Sequence, residues 1–133
     1  RIRSEPPFLV PFRDLAARYG SLDLEELAFQ SFAKYLESVP DHVKCLLRQF
    51  RLVDAAVKVV GVGSVGTRCF VLLLEGRDQG DPLLLQAREA SKSVLEEHLP
   101  TSCYANSGQR VVEGQRLMQT VSDIFRRRIR FIA

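Results

Sequence analysis

The sequence predicts an α+β fold, and three observations carry that prediction. Residues 23–53 hold apolar side chains at helical spacing in two runs separated by Pro40. Residues 56–89 hold three short stretches rich in aliphatic and β-branched residues, set apart by glycine-containing turns. A further helical run begins near Ser107. Helices placed before and after an antiparallel sheet, rather than alternating with parallel strands, form the α+β pattern. At 133 residues the chain has room for one domain. It divides into an extended segment with a helical hairpin (1–54), a glycine-loop sheet with its helices (55–125), and a basic tail or edge strand (126–133).

The opening carries Pro6, Pro7 and Pro11 around Phe8, Leu9 and Val10, which forbids a helix and favours an extended segment able to pack on a neighbour. A short helical turn follows over Leu15 to Tyr19, ending at Gly20. From Asp23 the helical period is clear: Leu24, Leu27, Ala28, Phe32, Tyr35, Leu36 and Val39 share one side, and Asp23 with Glu26 has the form of a capping box. Pro40 stops this helix. Asp41 is the expected cap of a second, with Val43, Leu46, Leu47, Phe50 and Val53 on its apolar side.

The sheet comes next. Its strands are expected at about 56–60, 68–75 and 83–89, with Gly76 to Pro82 turning the last pair. Connections that short require antiparallel neighbours. Ser93 and Glu96 bracket a short helical piece closed by Pro100. The long packing helix is expected from near Ser107 to about Phe125, with Val111, Leu117, Met118, Val121 and Phe125 facing inward. Gly114 lies inside it at a cost of about 1 kcal/mol relative to alanine.

One stretch has a chemical meaning: Gly61-Val-Gly63-Ser-Val-Gly66, with an apolar strand on each side. Glycines at such spacing let backbone N–H groups converge on one point, which is how a phosphate is held without a side chain. A dinucleotide fingerprint requires a helix at the third glycine. Residues 67–74 instead look like a strand. Strand, glycine loop, antiparallel strand is the arrangement that covers nucleotide phosphates in protein kinases. On that reading the third strand should offer a cation and the following helix a carboxylate to hold it. Arg88 and Glu113 stand where those groups are expected, with Glu97 a competing carboxylate on a shorter helix. Plainer readings stand beside these. Arg88 also fits a solvent-facing strand position, Glu113 a surface ion pair with Arg110 or Arg116, and the glycines a turn with no ligand.

Composition narrows the function classes. With 46% hydrophobic and 26% charged residues the chain falls in the soluble globular range, and no apolar run approaches the roughly 18 residues that span a bilayer. The net charge of +3 comes from Arg126, Arg127, Arg128 and Arg130; without them the balance is −1. Such a cluster, with no aromatic stacking pattern, reads as a solvated tail rather than a nucleic-acid reader, and Phe131 and Ile132 would also suit an edge strand. Cys45, Cys69 and Cys103 are widely spaced and odd in number, so they outline no disulfide framework and favour a cytoplasmic setting. Cys45 and Cys69 sit in apolar contexts as small hydrophobes. His42 and His98 lie in separate helical pieces, and no zinc-ligand spacing is present. The loop lacks the Gly-Lys-Ser/Thr ending of a Walker A motif, and Ser64 has no activating neighbour in the sequence. An opening at Arg1 rather than Met reads as a processed or excised segment.

The runs Lys58-Val-Val-Gly-Val-Gly-Ser-Val-Gly-Thr-Arg68, Leu74-Glu-Gly-Arg-Asp78, Leu85-Gln-Ala-Arg-Glu-Ala90 and Tyr104-Ala-Asn-Ser-Gly-Gln-Arg-Val-Val-Glu-Gly-Gln-Arg-Leu-Met-Gln119 resemble a bacterial family known as domain of unknown function twenty-two fifty-two. The resemblance covers about residues 6–125 and implies an internal slice of longer proteins. It also implies kinase-like catalytic and metal-binding motifs outside the slice, and a lysine at the place of Arg88. Arginine keeps the charge but prefers bidentate contacts, so it does not simply replace a lysine.

The expectation is therefore a kinase small-lobe-like module that binds a nucleotide or phosphate through Gly61, Gly63, Ser64, Gly66, Arg88 and Glu113. The cofactor is open, with ATP and magnesium the candidate. The chain alone is expected not to be catalytic, because it holds no aspartate-containing catalytic loop with a metal-binding asparagine. The alternative is a ligand-free structural or interaction module that self-associates, its open strand edges and uncovered apolar surface buried against a second copy. No membrane partner is expected.

Overall fold

The fold is α+β, four helices and a four-stranded antiparallel sheet among the residues described by the computed structural model, which are 1–19, 24–59 and 66–128. Chain order is β1 (Leu9–Pro11), α1 (Phe12–Tyr19), α2 (Leu24–Ser38), α3 (Asp41–Leu47), β2 (Arg51–Lys58), β3 (Cys69–Glu75), β4 (Pro82–Arg88), a 3₁₀ turn (Val94–Glu97) and α4 (Ser107–Met118). The strands lie side by side in the order β1-β2-β3-β4. No described helix is long and apolar enough to cross a membrane.

One face of the sheet carries the core. Leu52 and Ala55 of β2 and Leu72 and Leu74 of β3 pack against Phe12, Ala28, Phe32, Tyr35, Val43 and Leu47 from the helices and Val39 from the link between α2 and α3. The α2 stripe read from the sequence is the one that turns inward: Ala28, Phe32, Tyr35 and Val39 are buried, and Leu24 and Leu36 pack at the margin. Phe12 meets Phe70 edge-on, with centroids 5.9 Å apart and planes at 82°, a favoured aromatic geometry.

A bulge in β2 decides which side chains reach that core. Leu52 stands opposite Leu74 and Asp54 opposite Leu73, so Val53 is the extra residue. Strict alternation would put Leu52 and Asp54 on the same face. The inserted residue reverses the phase, so that Leu52, Ala55 and Val57 turn to the core and Asp54 turns to the other face with Ala56. There the Asp54 carboxylate accepts from Arg13 and from the backbone N–H of Ile2 (2.8 Å), while Arg13 Nη2 donates to Ile2 O at 2.6 Å. The first residues of the chain are thereby tied to the sheet.

Several boundaries differ from expectation. Helix α3 ends at Leu47, and β2 starts at Arg51, five residues before the strand start expected at about residue 56. Pro40, not Asp41, occupies the N-cap position, and no side chain caps this helix. The extended opening supplies a fourth strand, β1, paired with β2. The last helix stops at Met118: Gln119 is extended (φ −102°, ψ 132°), and Asp123 Oδ1 accepts from Phe125 N at 2.9 Å, which offers the backbone a turn instead. Val111, Leu117, Met118 and Val121 are consequently exposed rather than inward, and Val112 is the buried residue of α4. Phe125 does reach the core, and its carbonyl accepts from Tyr35 Oη at 2.7 Å. Cys45 is exposed, whereas Cys69 is buried as expected. The capping role of Asp23 and the edge-strand role of Phe131 and Ile132 lie outside the described residues.

Candidate functional site

The glycine-rich connection joins β2 to β3, two adjacent antiparallel strands. Gly61, Gly63 and Ser64 lie outside the described residues; the bases of the loop on both sides are described. On the entering side, Val59 N donates to Phe8 O at 2.8 Å, which carries the pairing with β1 one step past Lys58. On the leaving side, Gly66 has φ +86°, in the left-handed region that favours glycine.

The leaving strand is fastened to β4 by Arg68 and Glu89. Arg68 N and Nε each donate to Glu89 Oε2 at 3.1 Å, and Nη2 donates to Oε1 at 3.1 Å. In return Glu89 N donates to Arg68 O at 2.9 Å. The guanidinium hydrogen bond, reinforced by the backbone N–H, holds the Glu89 carboxyl below its usual range, and the same contact raises the pKa of Arg68. Neither residue was singled out from the sequence. The signal was the hairpin itself: once Cys69 stands opposite Arg88, the residues just beyond them, Arg68 and Glu89, form an opposite-charge cross-strand pair.

Arg88 is the last residue of β4 and is exposed, on the face opposite the core with Gln86 and Leu84. With the Gln86 amide turned so that its oxygen faces the arginine, it accepts from Arg88 Nε at 3.1 Å and Nη2 at 3.3 Å. Arg88 makes no ion pair with a described carboxylate. Glu113 lies on α4 and binds Arg116 Nη1 at 3.0 Å, so the structure does not bring Arg88 and Glu113 together. Arg110, the other basic neighbour of Glu113, reaches instead to Ser91 O (2.9 Å) and pairs with Glu96 at 4.0 Å, pinning α4 to the segment that follows β4. Glu97 is exposed. His42 and His98 are also exposed, and no group of three or more potential metal ligands occurs among the described residues.

Among the described residues, the loop end of the sheet carries one exposed arginine of β4 on its outer face, Arg88, a group able to hold an anion. The chain is thus an α+β protein with a glycine-rich strand connection. The sequence model of the family described as uncharacterized protein conserved in bacteria (DUF2252) matches residues 1–131, and the chain belongs to that family. No curated protein and no solved structure matches it.

Proposed function

We propose that the chain is a phosphate- or nucleotide-binding module resembling the small lobe of a kinase-like phosphotransferase. In it the backbone of residues 61–66, including Ser64, surrounds the phosphates, and Arg88 neutralises their charge. What supports this reading is one arrangement: the loop connects adjacent antiparallel strands, and the next strand ends on an exposed arginine with no described carboxylate partner. Glu113, which binds Arg116, would orient Arg88 only by giving up that partner and moving to it. Transfer chemistry is not expected of this segment alone. Calorimetric titration with ATP and magnesium tests the reading. Saturable binding is expected; the absence of both heat and a thermal shift at millimolar nucleotide would overturn it.

A second reading is favoured by a separate observation. Leu117, Met118 and Val121 are 82%, 83% and 83% exposed at the end of α4 and just beyond it. Apolar side chains this exposed and this close together mark an association surface. On this reading the segment pairs with a second copy, and light scattering after size exclusion should give the mass of a dimer that Leu117→Lys returns to the monomer. A strictly monomeric wild-type chain would sink it.

A further inference from the structure

The register of the sheet places a second cation beside Arg88. Lys58 ends β2, and its register partner in β1 is Leu9. Val57 stands opposite Phe70, both packed toward the core, and by strand alternation the next residues outward, Lys58 on β2 and Cys69 on β3, turn to the outer face. Cys69 in turn stands opposite Arg88. The outer row at the loop end of the sheet therefore runs Lys58, Cys69, Arg88, with an exposed cation on either side of a buried thiol. Two strand spacings separate the cations, about 10 Å between Cα atoms, close to the distance over which charges still sense each other at physiological salt.

The acids that would quench these charges are engaged elsewhere. Glu89 is held by Arg68, Asp54 by Arg13, and Glu75 by Arg51 at the opposite end of the sheet (2.6 Å). Glu5, bridged through its backbone to Leu9, makes no ion pair with Lys58. Among the described residues neither Lys58 nor Arg88 has a carboxylate partner. Two like charges set side by side repel, an arrangement that an anionic ligand relieves.

We propose that Lys58 and Arg88 form a two-cation mouth at this end of the sheet whose ligand is a linear polyphosphate. Arg88 lies back over the Gln86 amide, one row inward, so its charged head is held apart from that of Lys58. A ligand that reaches both heads must offer anionic oxygens at two places, which a chain of phosphates does and a monophosphate does not. The proposal rests on the phosphate-binding reading above and narrows it. A nucleoside triphosphate and an inorganic polyphosphate share this chemistry, and the test distinguishes them.

The experiment is calorimetric titration of wild type, Lys58→Gln, Lys58→Arg and Arg88→Gln with ATP, AMP and inorganic tripolyphosphate, with thermal unfolding as the control for folding. Wild type should bind tripolyphosphate and ATP more tightly than AMP. Lys58→Gln and Arg88→Gln should each weaken tripolyphosphate by about tenfold or more, and Lys58→Arg should retain most of the affinity. Unchanged tripolyphosphate affinity in Lys58→Gln overturns the two-cation mouth while leaving the phosphate-loop reading in place. Binding of tripolyphosphate without ATP supports the mouth and removes the nucleotide from the function. Binding of neither overturns both.

Discussion

Asp54 and Arg13 form an ion pair across the junction of β2 and α1 in which the carboxylate is 6% exposed and the guanidinium 32%. The same carboxylate oxygen also accepts from Ile2 N, and its partner oxygen accepts from Ala55 N at 3.0 Å. Removing one member of such a pair leaves a charge in a site that water barely reaches, which is costlier than losing an exposed pair. Asp54→Ala should therefore destabilise the fold by about 3 kcal/mol, read as a lower urea midpoint at unchanged slope. It should also free the first residues of the chain to proteolysis. A loss below about 1 kcal/mol, as exposed pairs give, would show that the bulge rather than the charge holds this junction.

Tyr35 gives the fold an alkaline limit. Burial first, and the nearby Asp123 second, push its phenol up to about 12, against an opposing pull from Arg127. A raised folded-state value means that the contribution is complete below the ordinary tyrosine pKa of about 10 and is lost as pH rises through the folded value. Stability should thus fall between about pH 10 and 12 in wild type. Tyr35→Phe should remove this group's share of that fall, at a cost of about 1 kcal/mol at neutral pH for the bond to Phe125 O. Ultraviolet titration of the phenols in wild type and Tyr35→Phe checks it.

Two glycines should respond to alanine in opposite directions. A Cβ added to Gly114 in α4 meets nothing within 4 Å, so Gly114→Ala should stabilise by about 0.5–1 kcal/mol through helix propensity. Space is equally free at Gly66, but there φ is +86°, so Gly66→Ala should destabilise by about 1 kcal/mol or more. Chemical denaturation of both variants measures the contrast. Equal effects would mean that φ at Gly66 is not held by the fold.

The fold was legible where a long period met a clear stop. The α2 stripe from Leu24 to Val39 spans four turns, and Pro40 ends it. It failed at transitions. Phe50 and Val53 continue the helical spacing of Val43 and Leu47, although Phe50 lies just before β2 and Val53 within it, and the bulge at Val53 removes the alternation that would have exposed the change. Strand β1 is three residues long and contains a proline, so its identity comes from its partner Val57 rather than from its own sequence. The end of α4 was hidden because Val121 and Phe125 keep the period while Asp123 supplies a competing local bond. In the site, the glycine spacing and Arg88 are local signals. The partner of Glu113, Arg116, is an i,i+3 neighbour and was among those the sequence offered, whereas the partner of Glu89 depends on strand register, which no single window contains.

The Arg68–Glu89 contact should govern how firmly the glycine loop is held at its leaving end. Four hydrogen bonds join the two residues, two of them through backbone N–H groups, so the pair fixes main chain as well as side chains. Both lie in solvent, and their effect on global stability should be small; the local effect on the loop is the sensitive readout. Glu89→Gln should speed amide exchange in residues 66–68 while leaving the β2–β3 core amides unchanged. Because the folded Glu89 carboxyl is depressed by Arg68, its contribution is present above the unfolded carboxylate value and disappears as pH falls through the lower folded value. Residues 66–68 should therefore stay protected through the range where ordinary glutamates protonate and loosen only in stronger acid. A side-chain carboxyl titration of Glu89 by NMR at the ordinary glutamate value, with exchange unaltered in Glu89→Gln, would show that register alone holds the loop.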